Sequence, residues 1–273
     1  MTISVVTISF NQARFLRECI ESVLGQDYPD FEYIVVDPGS TDGSREIIDE
    51  YGDRIQTVVF EPDKGPADGL NKGFSYANGD IFYYLNADDV LVNGSLSTAA
   101  RIFAADESYD IVLGRGYQID EHGTVVRKLF QSKKWSTYRY AVGVANAIQQ
   151  GTFFRASAFH ATGGFNTDNR TSWDGELLVD MVAAGARVRT TTDVLGSFRI
   201  YSDSISGSGR LIEAYNRDQK RIREKILSGN LADGEHMPVW LMRLGRWIAD
   251  PERFIHTGCY WGRRAIGSLT MER

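Results

Sequence analysis

Ile81-Phe82-Tyr83-Tyr84-Leu85-Asn86-Ala87-Asp88-Asp89 sets five apolar residues in unbroken succession and ends them near two adjacent carboxylates. A continuous apolar run of this length, with no polar alternation, reads as a strand covered on both faces. The same design recurs upstream. Val5-Val6-Thr7-Ile8 runs into Ser9-Phe10-Asn11, Tyr33-Ile34-Val35-Val36 into Asp37-Pro38-Gly39, and Thr57-Val58-Val59-Phe60 into Glu61-Pro62-Asp63-Lys64-Gly65. Between these runs the apolar spacing becomes that of helices. Phe15, Leu16, Cys19, Ile20, Val23 and Leu24 share one face, Ile47, Ile48 and Tyr51 another, and Ala67 to Ala77 makes a third helix. Cys19 lies on the first apolar face, where it packs as a small hydrophobe. Strands alternating with helices predict an α/β fold with a doubly wound, mainly parallel sheet and helices on both faces.

After Gly94 the pattern loosens. Ser95 to Ala105 reads as a helix and Ile111-Val112-Leu113 as a strand. Asp120-Glu121-His122-Gly123 turns a hairpin between Tyr117-Gln118-Ile119 and Val125-Val126. From Arg210 to Leu227, Leu211, Tyr215, Ile222 and Ile226 outline an amphipathic helix with a basic outer face, and Ser228 to Gly234 reads as a linker.

The chain has 273 residues, 42% hydrophobic and 24% charged, which excludes a disordered or fibrous protein. Two cysteines without metal-type spacing argue against a disulfide framework or a structural zinc site and favour a reducing, cytoplasmic setting. Met1-Thr2-Ile3-Ser4-Val5 lacks signal-peptide character, and no apolar run is long enough to span a bilayer. A net charge of −6 speaks against a nucleic-acid partner. That charge is uneven, with −10 over residues 1–209 and +4 over residues 210–273.

In open α/β sheets, ligands bind at the carboxyl ends of the strands. Ser9-Phe10, Asp37, Asp63-Lys64 and Asn86-Ala87-Asp88-Asp89 would therefore share one rim. Adjacent carboxylates there suit a hard divalent cation whose octahedron is completed by diphosphate oxygens. A GxGxxG turn, a Walker loop and a glycine-rich first turn are all missing, so no backbone cradle for phosphate is on offer.

As an ordered set, these segments resemble glycosyltransferase family 2 over about residues 3–209. The resemblance rests on Val5-Val6-Thr7-Ile8-Ser9-Phe10-Asn11, Gln26-Asp27-Tyr28, Val35 to Ser44, Asn71-Lys72-Gly73, Ala77-Asn78-Gly79-Asp80 and Leu85 to Asp89. It continues through Gln149 to Phe154, Gly163-Gly164-Phe165-Asn166 and Trp173-Asp174-Gly175-Glu176-Leu177. It implies a GT-A fold and inverting transfer of a sugar from a nucleoside-diphosphate donor to a hydroxyl of a glycan or lipid-linked acceptor. The division it implies is a catalytic domain at 1–209, with a nucleotide-binding half at 1–95 and an acceptor half at 96–209. A C-terminal helical extension covers 210–273.

Roles follow position by position from the resemblance. Asp37 would accept the imide N–H of the base, which suits a UDP-, dTDP- or GDP-sugar. Ser9, Phe10, Asp63, Lys64, Asn86, Ala87 and Asp88 would line the donor site. Asp88, with Asp89 beside it, would hold Mn²⁺ or Mg²⁺, although Asn86 stands where the family's first acid is expected. Asp174 would be the general base, a single carboxylate being enough for one displacement. Gln150, Trp173 and Glu176 fall on the acceptor side, with Glu176 as the fallback base. Tyr201 stands where many relatives have a histidine. The interleaved aromatics and arginines of residues 238–273 fit either peripheral docking on the cytoplasmic membrane face or a helical appendage or homodimer contact. Two rival readings are a sugar-phosphate nucleotidyltransferase and a catalytically silent nucleotide-sugar or glycan-binding module.

Overall fold

The computed structural model describes residues 1–228 and 238–243. Strand β1 (Ile3–Ile8) leads through helix α1 (Ala13–Leu24) to β2 (Phe31–Val36), then α2 (Ser44–Glu50), β3 (Thr57–Val59), α3 (Pro66–Ser75) and β4 (Ile81–Asn86). Next come β5 (Val90–Leu91), α4 (Ser95–Ala105), β6 (Ile111–Ile119), β7 (Val125–Leu129) and α5 (Thr137–Ala141). The remainder is β8 (Thr152–Arg155), α6 (Ala156–His160), α7 (Trp173–Ala183), β9 (Val188–Arg199), α8 (Ile205–Ser208) and α9 (Ile212–Ser228).

The apolar runs are buried on both faces because successive side chains point to opposite layers. Val5, Tyr33, Val35 and Tyr83 face Leu16, Cys19, Ile20 and Val23 of α1, together with Leu96, Ala99 and Phe103 of α4. Val6, Ile34, Val36, Phe82 and Tyr84 face Leu70 and Phe74 of α3, Phe159 of α6 and Leu177, Leu178 and Met181 of α7. A smaller cluster of Val179, Ile222 and Ile226 seats α9 against α7.

The expected doubly wound arrangement holds, but the sheet is mixed rather than mainly parallel. Its order is β3-β2-β1-β4-β8-β6-β9-β5, with β7 also paired to β6. Strands β1 to β4 are parallel neighbours, and so are β6 and β9. Strand β8 runs antiparallel between β4 and β6, β7 is antiparallel to β6, and β5 is antiparallel to β9. The physical reason lies in the connections. Antiparallel neighbours need no crossover helix, and past α4 the chain turns back on itself as a hairpin and short returns. The two pieces expected at Ile111–Leu113 and Tyr117–Ile119 form one continuous strand. Its second half, paired with β7, extends past the carboxyl ends of β1 and β4 and so walls the rim.

One glycine in this half is dictated by close approach. A Cβ on Gly196 would lie 2.1 Å from the Gln150 carbonyl oxygen, so only glycine lets β9 pass against the turn that carries Gln150. Among the parallel strands, a Cβ on Gly73 of α3 would meet Val6 Cγ1 at 2.4 Å and Val36 Cγ2 at 3.1 Å. Both valines are fully buried and stiff at χ1. Gly73→Ala should therefore lower stability by about 1–3 kcal/mol through overpacking, despite the helix-propensity gain of about 1 kcal/mol. A urea denaturation midpoint checks this, and an unchanged or raised midpoint would show that α3 can lift from the sheet at no cost.

Candidate functional site

A cavity of about 940 Å³ opens at the carboxyl ends of β1 to β4, walled on the other side by β7 and the start of α7. Of the residues expected at the site, Ser9, Phe10, Asp63, Asn86, Ala87, Asp88, Gln150, Trp173 and Asp174 line it. Asp37, Lys64, Asp89 and Glu176 do not.

The three carboxylates among these are held within the protein. Asp37 is fully buried. One carboxylate oxygen accepts from the Gly39 and Ser40 amides at 3.0 and 2.8 Å and from Arg45 Nε at 3.2 Å. The other accepts from Ser40 Oγ at 2.5 Å. Asp37 thus ties up its own turn and sends Pro38, not its carboxylate, to the cavity wall. Lys64 is exposed, and its main chain bonds Asp68 and Arg170. Glu176 is buried and accepts from Asn166, Asn169 and Arg221 at 3.1, 2.7 and 2.7 Å. Burial raises its pKa, but the two amides and Arg221 outweigh that and leave it below the usual glutamate range. With three donors on it and no place on the cavity wall, this carboxylate is committed to holding the fold.

Asp89 is the most consequential of the four. It is 1% exposed. Its Oδ1 accepts from the Arg199 amide at 2.9 Å, and its Oδ2 from Gln150 Nε2 at 2.7 Å and Asn86 Nδ2 at 3.1 Å. The metal pair expected at the end of β4 therefore separates into two jobs. Asp89 faces inward and binds the fold together, while Asp88 faces the cavity. Burial, opposed by the Tyr201 hydroxyl and Arg199, raises the Asp88 pKa.

Sequence reasoning missed the buried Arg199, whose partners lie far away in the chain. Its Nε donates to the Asp88 carbonyl at 2.7 Å, Nη1 to the Asp120 carbonyl at 3.0 Å and Nη2 to Glu18 at 2.6 Å, while its guanidinium lies 4.8 Å above the Phe15 ring. Tyr201, found through its departure from the family pattern, sits 3.2 Å from Asp88 Oδ2 and bonds Gln12. Arg127 and Lys128 of β7 and Arg210 ahead of α9 also line the cavity and bring positive charge to it.

Several groups remain available to a ligand. Ser9 Oγ and Asn86 Oδ1 are buried without a hydrogen-bond partner among the described residues, and both belong to cavity-lining residues. Such orphaned acceptors ask for a donor from a bound molecule. Phe10 presents its ring at the mouth, 59% exposed. Asp63 uses one oxygen to hold the Gly65 amide at 2.8 Å, and burial raises its pKa. Asp174 lies in the first turn of α7 with its pKa raised by burial, which the Gly175 amide only partly offsets.

No group of three or more acidic, histidine or cysteine side chains able to hold a metal occurs among the described residues. The donor set at the end of β4 is one cavity-facing carboxylate, Asp88, with neutral oxygens from Asn86 and Tyr201 nearby. That set does not make a cage for a metal alone. It does fit a hard divalent cation shared with a diphosphate, since such ions are commonly held by one or two carboxylates plus substrate oxygens.

The split between the two aspartates has a direct test. Asp89→Ala would leave the Arg199 amide and the Gln150 side chain buried and unpaired, at about 1–3 kcal/mol for each such group. Thermal and urea denaturation should show a marked loss for Asp89→Ala and little change for Asp88→Ala. Equal losses would mean that Asp88 also holds the fold together.

Comparisons with known proteins identify the family and the fold. The glycosyl transferase family 2 profile matches residues 4–162. An uncharacterized glycosyltransferase of Nostoc sp., alr2836, is 34% identical over 139 residues, covering 47% of this chain and 43% of the relative. The matched regions span about two fifths of the length of the curated relatives at this identity. Among solved structures, Staphylococcus aureus TarS 1–349 in complex with UDP-GlcNAc superposes with a TM-score of 0.70 at 19% identity, covering 91% of this chain and 73% of that one. The mannosyltransferase PcManGT of Pyrobaculum calidifontis, in complex with GDP-Man and Mn²⁺, has a TM-score of 0.58 at 18% identity, with 99% and 88% covered. With the profile covering more than half of the chain and the fold shared with these enzymes, this protein belongs to glycosyl transferase family 2, with a GT-A fold.

Proposed function

We propose that this chain transfers a sugar, with inversion, from a nucleoside-diphosphate sugar to a hydroxyl of a glycan or lipid-linked acceptor, as in polysaccharide assembly. The observation that carries this reading is that one cavity receives Asp88 from the end of β4 and Asp174 from the start of α7. The first is poised for the diphosphate side and the second for the acceptor side.

The donor base fits over Phe10, beside Pro38, Pro62 and Asp63, at the end of the rim formed by β1 to β3. With Asp37 sealed into its turn, Asp63 is the carboxylate left there to accept a ring N–H, which uracil, thymine and guanine offer. Ser9 and Asn86 supply acceptors for sugar hydroxyls. Asp88 would hold a divalent cation together with the diphosphate, and that cation would compensate charge growing on the leaving group. The Mn²⁺ and GDP-Man bound by PcManGT and the UDP-GlcNAc bound by TarS support these choices of ligand.

On the other side, Asp174 takes the proton of the attacking hydroxyl. A carboxylate in water is a weak base, and burial makes this one stronger. Trp173 lines the cavity beside it and gives an apolar face to an acceptor sugar ring. Membrane docking or dimerisation through residues 238–273 falls mostly outside the described residues. No helix among those described is long and apolar enough to cross a membrane.

Asp174→Asn should keep nucleotide binding yet lose about 10²–10⁴-fold in turnover, the usual size of a general-base contribution. In the wild type the active, unprotonated form of Asp174 is lost as pH falls through its raised pKa. The acid limb of kcat should therefore lie above the ordinary aspartate value of about 4. Asp88→Ala should instead abolish the Mn²⁺-dependent thermal shift given by UDP, dTDP or GDP, since a ligand bound only to the folded state raises apparent stability. An Asp174→Asn enzyme that no longer binds nucleotide, or an Asp88→Ala enzyme with the full Mn²⁺-dependent shift, would contradict these roles.

A further inference from the structure

The segment that delivers Asp174 is not a strand end. Residues 166–172 are loop, and Ser172, which precedes α7, makes no side-chain capping bond. Its main chain is held from α9 instead. Asp218, 5% exposed, accepts from the Arg170 amide at 3.0 Å and from Thr171 Oγ1 at 2.8 Å, both on one carboxylate oxygen. Its other oxygen pairs with Arg221 Nη1 at 3.3 Å, and Arg221 Nη2 donates to Glu176 at 2.7 Å. Gln219 Nε2 donates to Ser172 Oγ at 3.0 Å. Residues 170, 171, 172 and 176, on both sides of Asp174, are thus bonded to one face of α9.

Two buried carboxylates bridged by a part-exposed arginine are a poor way merely to glue two helices together. Desolvation offsets most of its attraction, and well-packed apolar residues of similar volume often serve as well. Ile222 and Ile226 already pack against Val179 and supply that adhesion. What Asp218 adds is direction. It fixes the main-chain N–H of Arg170 and the hydroxyl of Thr171, one turn before the residue that must meet the acceptor. Opposite α9, the same segment touches the donor side, where Arg170 donates to the Lys64 carbonyl beside Asp63. Asn71 of α3 also brackets Phe165 with two bonds of 2.8 Å.

We propose that Asp218, oriented by Arg221, is a positioning residue that holds the start of α7 so that Asp174 meets the acceptor hydroxyl in line with the bound donor. The proposal rests on Asp174 acting as the base. Misplacing a reacting group by about 1 Å can cost about 10²-fold in rate, and a positioning defect of this kind leaves donor binding untouched.

The experiment measures nucleoside diphosphate released from UDP-, dTDP- and GDP-sugars with water as acceptor, in Asp218→Ala and Thr171→Val. Each is made alone and together with Asp174→Asn. We expect Asp218→Ala to lower kcat about 10–100-fold with the donor KM unchanged. Thr171→Val should move kcat in the same direction by less, and neither change should slow the Asp174→Asn enzyme further, because both act through the group already removed. Equal losses in the two backgrounds, or a raised donor KM in place of a lowered kcat, would overturn the positioning role. Should Asp218→Ala fail to fold, Thr171→Val, which keeps the Asp218–Arg221 pair, decides by the same comparison. An Asp174→Asn enzyme as fast as wild type would overturn the base assignment and the positioning role together. Additive losses on a crippled Asp174→Asn enzyme would overturn the positioning role alone.

Discussion

The buried carboxylate of Asp89 is the constraint around which the rim of the cavity is arranged. A carboxylate at 1% exposure is tolerable only if its oxygens are filled with donors. The donors it uses come from three places: the Arg199 amide on β9, the side chain of Gln150 ahead of β8, and Asn86 at the end of β4. Satisfying Asp89 therefore draws both halves of the mixed sheet together at one point. The Arg199 side chain then extends under the rim to the Asp88 carbonyl, so the same network that seals Asp89 aims its neighbour outward. Gly196 belongs to this arrangement, because the approach of β9 to the Gln150 main chain leaves no room for a Cβ.

From that point the cavity divides naturally. Strands β1 to β4 bring short polar termini suited to a nucleotide: an exposed ring at Phe10, orphaned oxygens at Ser9 and Asn86, and carboxylates at Asp63 and Asp88. The later chain brings the apolar wall of Trp173, the half-buried Asp174 and the cations Arg127, Lys128 and Arg210. Although residues 210–273 read from sequence as an appendage, Arg210 reaches the cavity wall and Asp218 holds the segment leading to Asp174.

The parallel half of the sheet, β1 to β4, was legible in the sequence because its signals are local. Each strand is an unbroken apolar run and each rim residue follows one directly, even though the strands lie in the order β3-β2-β1-β4 rather than in chain order. The later half obeyed no such rule. Strand β5 is two residues long, and the direction of β8 is set by its neighbours rather than by its own composition. The different fates of Asp88 and Asp89 could not be told apart either. Both are acids after a strand, and what separates them is Arg199 and Gln150, 110 and 61 residues further on. Asp37 and Glu176 are engaged in the same way. Ser40 and Arg45 hold the first and Arg221 with two asparagines the second, and a motif does not show which of its carboxylates already have partners.

The central claim is that one displacement occurs in this cavity, with a single base opposite the leaving diphosphate. Stereochemistry tests it most directly. When an α-linked nucleoside-diphosphate sugar such as UDP-GlcNAc or GDP-mannose is turned over with water as acceptor, proton NMR of the first-formed sugar, read before mutarotation, should show the β anomer. The α anomer as first product, or pyrophosphate in place of nucleoside diphosphate, would contradict the account.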